Sequence, residues 1–387
     1  MQQASSLLGG LTAAAFLKRH WQKHPLLIRA AIPGFKSGIS AEELAGLACE
    51  KGVEARLVIQ TGRQPYWHLR HGPFAHRDFT RLPRSRWTLL VQDVDKHVPR
   101  LASLLDAFCF IPNWRIDDLM VSYAADGGSV GPHVDAYDVF LLQAQGLRRW
   151  DISKRPHRSA DTPGLELRHV RDFTPEESWL LRPGDMLYLP PGVAHQGVAV
   201  GDCMTYSIGF RAPSAAELLT DFAGLLMEGA RRDVHYSDPD LTATDHPGEI
   251  GAKARARVRT LLRSQFTVND AAIDIWFGRF ITEPKPWLKP APRTRRISLT
   301  QFKNRLRLAK SLVWHPAVHA AWFDTRGACH LFVDGAHHPL PAGLRRFTRT
   351  VGDRRAFETD FLLRYANHKA AGPLLLQFLN AGQLMWR

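Results

Sequence analysis

Long apolar runs are missing from this 387-residue chain. No stretch of about 20 consecutive apolar residues occurs, so no helix is expected to cross a bilayer. Cysteine is scarce. Cys49, Cys109, Cys203 and Cys329 lie far apart with no Cys-x-x-Cys pair, which argues against a cysteine zinc site or a disulfide scaffold and fits a reducing compartment. The first residues, MQQASSLLGGLTAAAFLKRHWQK, carry their positive charges after the mildly apolar run. That is a poor secretory signal, and the expected location is cytoplasmic. Internal repeats and low-complexity tracts are also absent. Acidic residues are the deficient charge: 37 Asp+Glu against 51 Lys+Arg, a net of +14. With 45% apolar and 23% charged residues, the composition excludes global disorder and fibrous folds.

The excess of positive charge is concentrated. Residues 290–387 hold 16 Lys+Arg and 5 Asp+Glu, a net of +11, which leaves +3 for residues 1–289. Such a quarter either meets nucleic acid or an acidic partner, or is simply a solvated face. The segment 283–292, EPKPWLKPAP, has four prolines in ten residues; it reads as an extended linker. A second break lies near 211–214. After it, Leu218, Leu219, Phe222, Leu225 and Leu226 follow the spacing of an amphipathic helix opened by a Ser cap. Arg255 to Phe266 and Ala271 to Phe280 read as further helices. Between about 115 and 210, apolar runs of four to six residues alternate with turn signals, the pattern of an antiparallel sandwich or barrel. The first hundred residues are mixed: a helix over Ala13 to Gln22, strands near Arg56 to Thr61 and Thr88 to Asp93.

One constellation stands out in the β region. His133-Val134-Asp135 is a His-x-Asp pair, and residues two apart on a strand share a face. His195 follows 60 residues past Asp135, at the end of Pro183–His195, which reads as turn, strand, turn, strand. Two histidines and one carboxylate on one face of an octahedron leave three positions open, which suits non-haem Fe(II) and O2 activation. A lone His-x-Asp means little in a chain with 18 histidines; the combination carries the weight. Arg148 lies between the two motifs. An oxygenase of this type needs 2-oxoglutarate, whose distal carboxylate calls for a cation and a hydroxyl. Arg offers a bidentate fork, and Ser122 and Tyr123 offer hydroxyls. Taken alone, Arg148 reads as a surface cation. Trp150 shares the strand face of Arg148 and can wall the pocket.

With these residues in place, the chain resembles the JmjC-type, cupin-fold 2-oxoglutarate oxygenases, and more narrowly the bacterial ribosomal oxygenases that hydroxylate an arginine of the sixteenth large-subunit ribosomal protein at C-3. The resemblance runs through FLKRHWQKHPLLIR (16–29), VGPHVDAYDVFLLQAQGLRRW (130–150), LYLPPGVAHQG (187–197), YSIGFRAPSAAELL (206–219) and HYSDPDL (235–241). It covers most of the chain; the last hundred residues match by layout more than by motif. It implies a mixed α+β architecture. A double-stranded β-helix (jelly-roll) JmjC domain would occupy 1–212, a helical dimerisation segment 213–282, and a basic winged-helix-like domain 283–387. It implies Fe(II), 2-oxoglutarate and O2, with succinate and CO2 as co-products. It places the iron ligands on His133, Asp135 and His195 and the co-substrate contacts on Arg148 and Ser122. Asp126 is either a carboxylate facing the substrate guanidinium or a turn residue before Gly127-Gly128.

Three readings compete. The first is arginyl hydroxylation of a large-subunit ribosomal protein. The second is the same iron chemistry on another target, a histidyl residue or an N-methyl lysine. The third is a non-catalytic ribosome- or nucleic-acid-binding protein with a degenerate cupin, for which loss of a triad member would speak; all three members are present. The basic quarter, with Arg293, Arg295, Arg296, Lys303, Arg305, Arg307 and Lys310, either lines rRNA or forms exposed helix faces. The helices after 213 either pair with a second copy, giving a homodimer, or pack on the jelly roll alone.

Overall fold

The long strands carry the architecture. In the computed structural model, which describes residues 7–62, 66–155, 159–161, 168–229, 234–241, 250–265 and 268–387, a 12-stranded antiparallel sheet dominates. Its main path is β1 (Leu26–Ile28), β11 (Met186–Leu189), β7 (Val139–Ser153), β12 (Ala194–Phe210), β5 (Ile116–Ala124), β4 (Trp87–Val91), β2 (Ala55–Gln60) and β3 (Trp67–His71). Off this path, β10 (Glu177–Leu181) pairs with β7, and β6 (His133–Val134) pairs with β12 and with β9 (Arg168–Val170); β9 in turn pairs with β8 (Ser159–Asp161).

Strands β7 and β12 are 15 and 17 residues long, where the sequence reads as shorter pieces. The reason is glycine. Gly146 has φ +65° and Gly201 φ +68°, so both read as turns, yet each bends a strand without ending it. At Gly146 a Cβ would collide with the backbone of Asp202 and Cys203. The ladder shifts register between Val200 and Met204. Beyond the bend, β7 exchanges β11 for β10 as its outer neighbour, so two strands build both layers of a jelly roll.

Both sheet faces are buried, which explains runs such as VFLL and MLYL. On one face Phe140, Leu142, Tyr188, Tyr206 and Phe210 join a large core with Phe16 of α1 (Ala13–Arg19). Alternate residues Val139, Leu141, Trp150, Ile152, Leu187 and Leu189 form a second cluster on the other face. Helix α1 is shorter than expected and is capped by the Thr12 side chain.

By contacts the chain divides into two units. One comprises 1–212, 284–318 and 355–387; the other comprises 213–283 and 319–354. The first also contains the three-stranded sheet of Ser311–Trp314, Ala356–Glu358 and Leu384–Trp386. The second contains α2 (Ala215–Gly229), α3 (Ala252–Gln265), α4 (Asp270–Thr282) and a sheet of Ala320–Asp324, Ala328–Val333 and Ala336–Pro341. Ser214 caps α2 reciprocally with Glu217, as the Ser-x-x-Glu spacing allows. Phe266, expected on the stripe of α3, lies outside the described residues. Among the described residues no helix is long and apolar enough to cross a membrane.

Candidate metal and anion site

Two strand ends bring the histidines together. In the β6–β12 ladder His133 stands directly opposite His195, and Asp135 follows at the end of β6. Their ligand-capable atoms all lie within 4.8 Å of one another. His133 Nε2 is 3.9 Å from Asp135 Oδ1, and His195 Nε2 is 3.6 Å from Asp135 Oδ2. Among the described residues no other group of three His, Cys, Asp or Glu side chains converges in this way.

Hydrogen bonding sets the tautomers. Nδ1 of His133 faces the Gly131 carbonyl, and Nδ1 of His195 faces the Val193 carbonyl, each at 3.0 Å. A carbonyl only accepts, so both Nδ1 atoms donate, and both Nε2 lone pairs are free to point at the common centre. Burial, reinforced by the neighbouring His133, lowers His195 to about 4, which keeps it neutral. Gly131 has φ +83°, and any Cβ there would strike the ring of His169. His169 donates Nε2–H to the Val130 carbonyl at 2.8 Å and so fixes the loop leading into His133.

Arg148 is also buried, 3% exposed. Its Nη2 donates to the Gly197 carbonyl at 3.3 Å, and the Cys203 thiol lies beside it. Among the described residues Nε and Nη1 find no acceptor. Burial of the guanidinium lowers its pKa, and no carboxylate offsets this. A buried cation with three unused N–H groups and no counter-ion among the described residues is costly unless an anion completes it. Ser122 is 5% exposed and donates weakly to the Thr205 carbonyl at 3.4 Å. Thr205 donates to Gln143 Oε1 at 3.0 Å, and Gln143 abuts Cys203. Ser122, Thr205 and Gln143 occupy one row across β5, β12 and β7. A continuous buried polar chain therefore runs from Arg148 to Ser122.

Two further expected residues have hydrogen-bond partners of their own. The Tyr123 hydroxyl is engaged with Asp202 Oδ2 at 3.0 Å, and burial pushes it up to about 12. Asp126 is exposed, and its Oδ1 accepts the Gly201 N–H at 2.8 Å. Sequence reasoning missed Gly197, Cys203, Gln143 and His169. Gly197 had a signal: it follows His195 by two residues and directly faces Trp150 across the ladder.

The arrangement can hold one divalent metal on three protein ligands and one carboxylate near it. A JmjC domain model matches residues 103–218. The chain is 39% identical over 278 residues to the ribosomal protein uL16 3-hydroxylase of Escherichia coli K12, covering 72% of this chain and 73% of that protein. It is 38% identical over 239 residues to a probable ribosomal oxygenase of Haemophilus influenzae, covering 61% and 56%. The solved E. coli YcfD structure superposes with a TM-score of 0.83 at 31% identity, over 97% of this chain and 98% of that one. A YcfD structure holding cobalt and 2-oxoglutarate gives 0.80 at 31% identity over the same shares.

Proposed function

This chain belongs to the JmjC-domain ribosomal oxygenases, and from that membership we propose an Fe(II)- and 2-oxoglutarate-dependent protein hydroxylase acting on a large-subunit ribosomal protein. The target residue in this reading is an arginyl side chain, oxidised at C-3. The observation that carries it is Arg148: a buried guanidinium whose Nε and Nη1 find no acceptor among the described residues, joined through the Trp150 ring to His195 of the His133, Asp135 and His195 cluster. That pairing of a metal face with an anion socket is what a metal-chelating dicarboxylate needs.

When bound, Fe(II) and 2-oxoglutarate supply the oxygen activation, with one oxygen atom entering the substrate C–H bond, the other entering succinate, and CO2 released. The chain's own groups do the rest. His133, Asp135 and His195 hold the metal, with their imidazoles fixed in one tautomer by Gly131 and Val193. Arg148 takes the distal carboxylate, and Ser122 adds a hydroxyl. Leu141, Leu187 and Leu189, in one buried apolar cluster with Trp150, would exclude water from that side. Asp126 faces the substrate guanidinium from the rim in this reading. No general base is required.

The domain division 1–212, 213–282 and 283–387 completes the proposal, with catalysis in the first segment, pairing of two copies through the second, and rRNA contact through the basic third. The enzyme works in the cytoplasm beside its ribosomal substrate. Incubation with Fe(II), 2-oxoglutarate and isolated large-subunit proteins is expected to add the mass of one oxygen atom to an arginine-containing peptide. A His133→Ala variant is expected to fold and to add none. Addition of oxygen to a histidine, or loss of an N-methyl group from lysine, would move the target to the second class of substrate.

A further inference from the structure

We propose that the indole N–H of Trp150 is a second donor to the distal carboxylate of 2-oxoglutarate, forming with Arg148 a two-residue clamp. This rests on the reading above that the chamber binds that co-substrate.

Trp150 is 5% exposed, and its Nε1 has no acceptor among the described residues. Buried indole N–H groups ordinarily find a partner. The ring lies among Val139, Leu141, Ile152, Leu187 and Leu189, which offer side chains with no acceptor atom. Two neighbours fix where the ring stands. The Arg148 guanidinium carbon is 5.0 Å from its centroid, and the His195 ring is 5.9 Å away. The indole therefore bridges the anion socket and the metal face. Gly197, opposite on β12, makes this possible: a Cβ there would fall 2.5 Å from Arg148 Nε and 2.8 Å from Trp150 Cη2.

The donor count favours a carboxylate. Arg148 Nε, Arg148 Nη1 and Trp150 Nε1 find no acceptor among the described residues, and because Nη1 carries two N–H groups these three nitrogens hold four unmatched N–H bonds. A carboxylate has about four lone-pair positions and no proton to give. The four unmatched N–H groups meet that demand. A neutral ligand or a single water would leave donors unmatched.

The test uses the full-length protein with Mn(II) in place of Fe(II), and titrates 2-oxoglutarate and 2-oxobutanoate, which lacks the distal carboxylate. Trp150→Phe keeps the ring against Arg148 and removes only the donor. Expected is about tenfold weaker binding of 2-oxoglutarate, the size of one hydrogen bond to a charged group, with 2-oxobutanoate unchanged. Unchanged affinity for 2-oxoglutarate, or equal loss for both ligands, overturns the clamp. Wild-type protein that binds neither ligand overturns the co-substrate reading beneath it. A second readout needs no variant. With Zn(II) in the site, the indole N–H resonance that Mn(II) broadens most is expected to move on adding 2-oxoglutarate and to stay on adding 2-oxobutanoate. A resonance that ignores both also sinks the proposal.

Discussion

Arg148 carries a cost that the fold bears without its ligand. The guanidinium is buried, and among the described residues Nε and Nη1 are unmatched and no carboxylate lies beside it. Replacing such a cation with an apolar side chain of similar length is stabilising when nothing is left unpaired. Arg148→Met is therefore expected to raise the stability of the ligand-free protein, by on the order of 1–3 kcal/mol, while weakening 2-oxoglutarate binding about ten- to a hundredfold. Arg148→Lys should weaken it less, since it keeps the charge and loses the fork. Thermal melting without ligand and a co-substrate titration check both halves. A variant that binds 2-oxoglutarate normally would show that another cation holds the distal carboxylate. This residue also marks how far the sequence could be read. His133, Asp135 and His195 are legible because a period of two and a return strand leave them few other arrangements. Arg148 is legible only through its company, since taken alone it is any surface cation. The orphan Trp150 donor was not legible, because an unmatched N–H is a property of the neighbours that folding assembles.

A short helical turn shows the same limit at the next scale. Asp93 at φ +55° starts the turn Val94–His97, and Lys96 within it is buried. Its Nζ donates to Asp93 Oδ1 at 2.7 Å and to the Asp117 carbonyl at 2.8 Å, with Asp95 at 3.8 Å. Burial alone would lower this ammonium, but Asp95, Asp93 and Asp118 outweigh it and raise it. Burial holds Asp118 up at about 7 despite Lys96. Lys285, from the proline-rich segment, closes the network on Asp93 at 2.6 Å. By itself the DVDK stretch (93–96) carries no signal of burial. That it fills a buried layer under β5 depends on pairing from residues 25 and about 190 positions away. Lys96→Met leaves buried carboxylates uncompensated and is expected to cost about 3–5 kcal/mol. Adding Asp118→Asn should recover part of it, because Asn still accepts the Asp93 N–H. Urea unfolding decides this: a single-variant loss below about 1 kcal/mol would mean the network behaves as surface charge. The bent strands taught the reverse lesson. Gly146 and Gly201 look like ends of elements and are bends within them, because positive φ serves both uses.

At the scale of the molecule, exposed apolar surface is the feature a single copy leaves unsettled. Helix α2 buries none of its residues, with Leu219 67% and Met227 71% exposed, and α3 leaves Leu262 58% exposed. Large aliphatic side chains in such a row normally mark a contact surface. The amphipathic stripe was legible in the sequence. What covers it was not, because periodicity gives a face and not a partner. The charge of +14 limits the choices. Helix α3 carries Lys253, Arg255, Arg257, Arg259 and Arg263, with no acidic residue, and two copies of that basic face would repel. The acidic and apolar α2, with Glu217, Asp221 and Glu228, is the complementary surface. In the proposed homodimer, pairing α2 of one copy against α3 of the other, twice around a twofold axis, would bury the leucines and match the charges. Light scattering at micromolar protein is expected to give twice 43.6 kDa. The double variant Leu219→Asp, Leu262→Asp is expected to give 43.6 kDa with its metal binding intact. A wild-type mass of one chain would leave these helices to some other partner, and a double variant that stays dimeric would place the interface elsewhere.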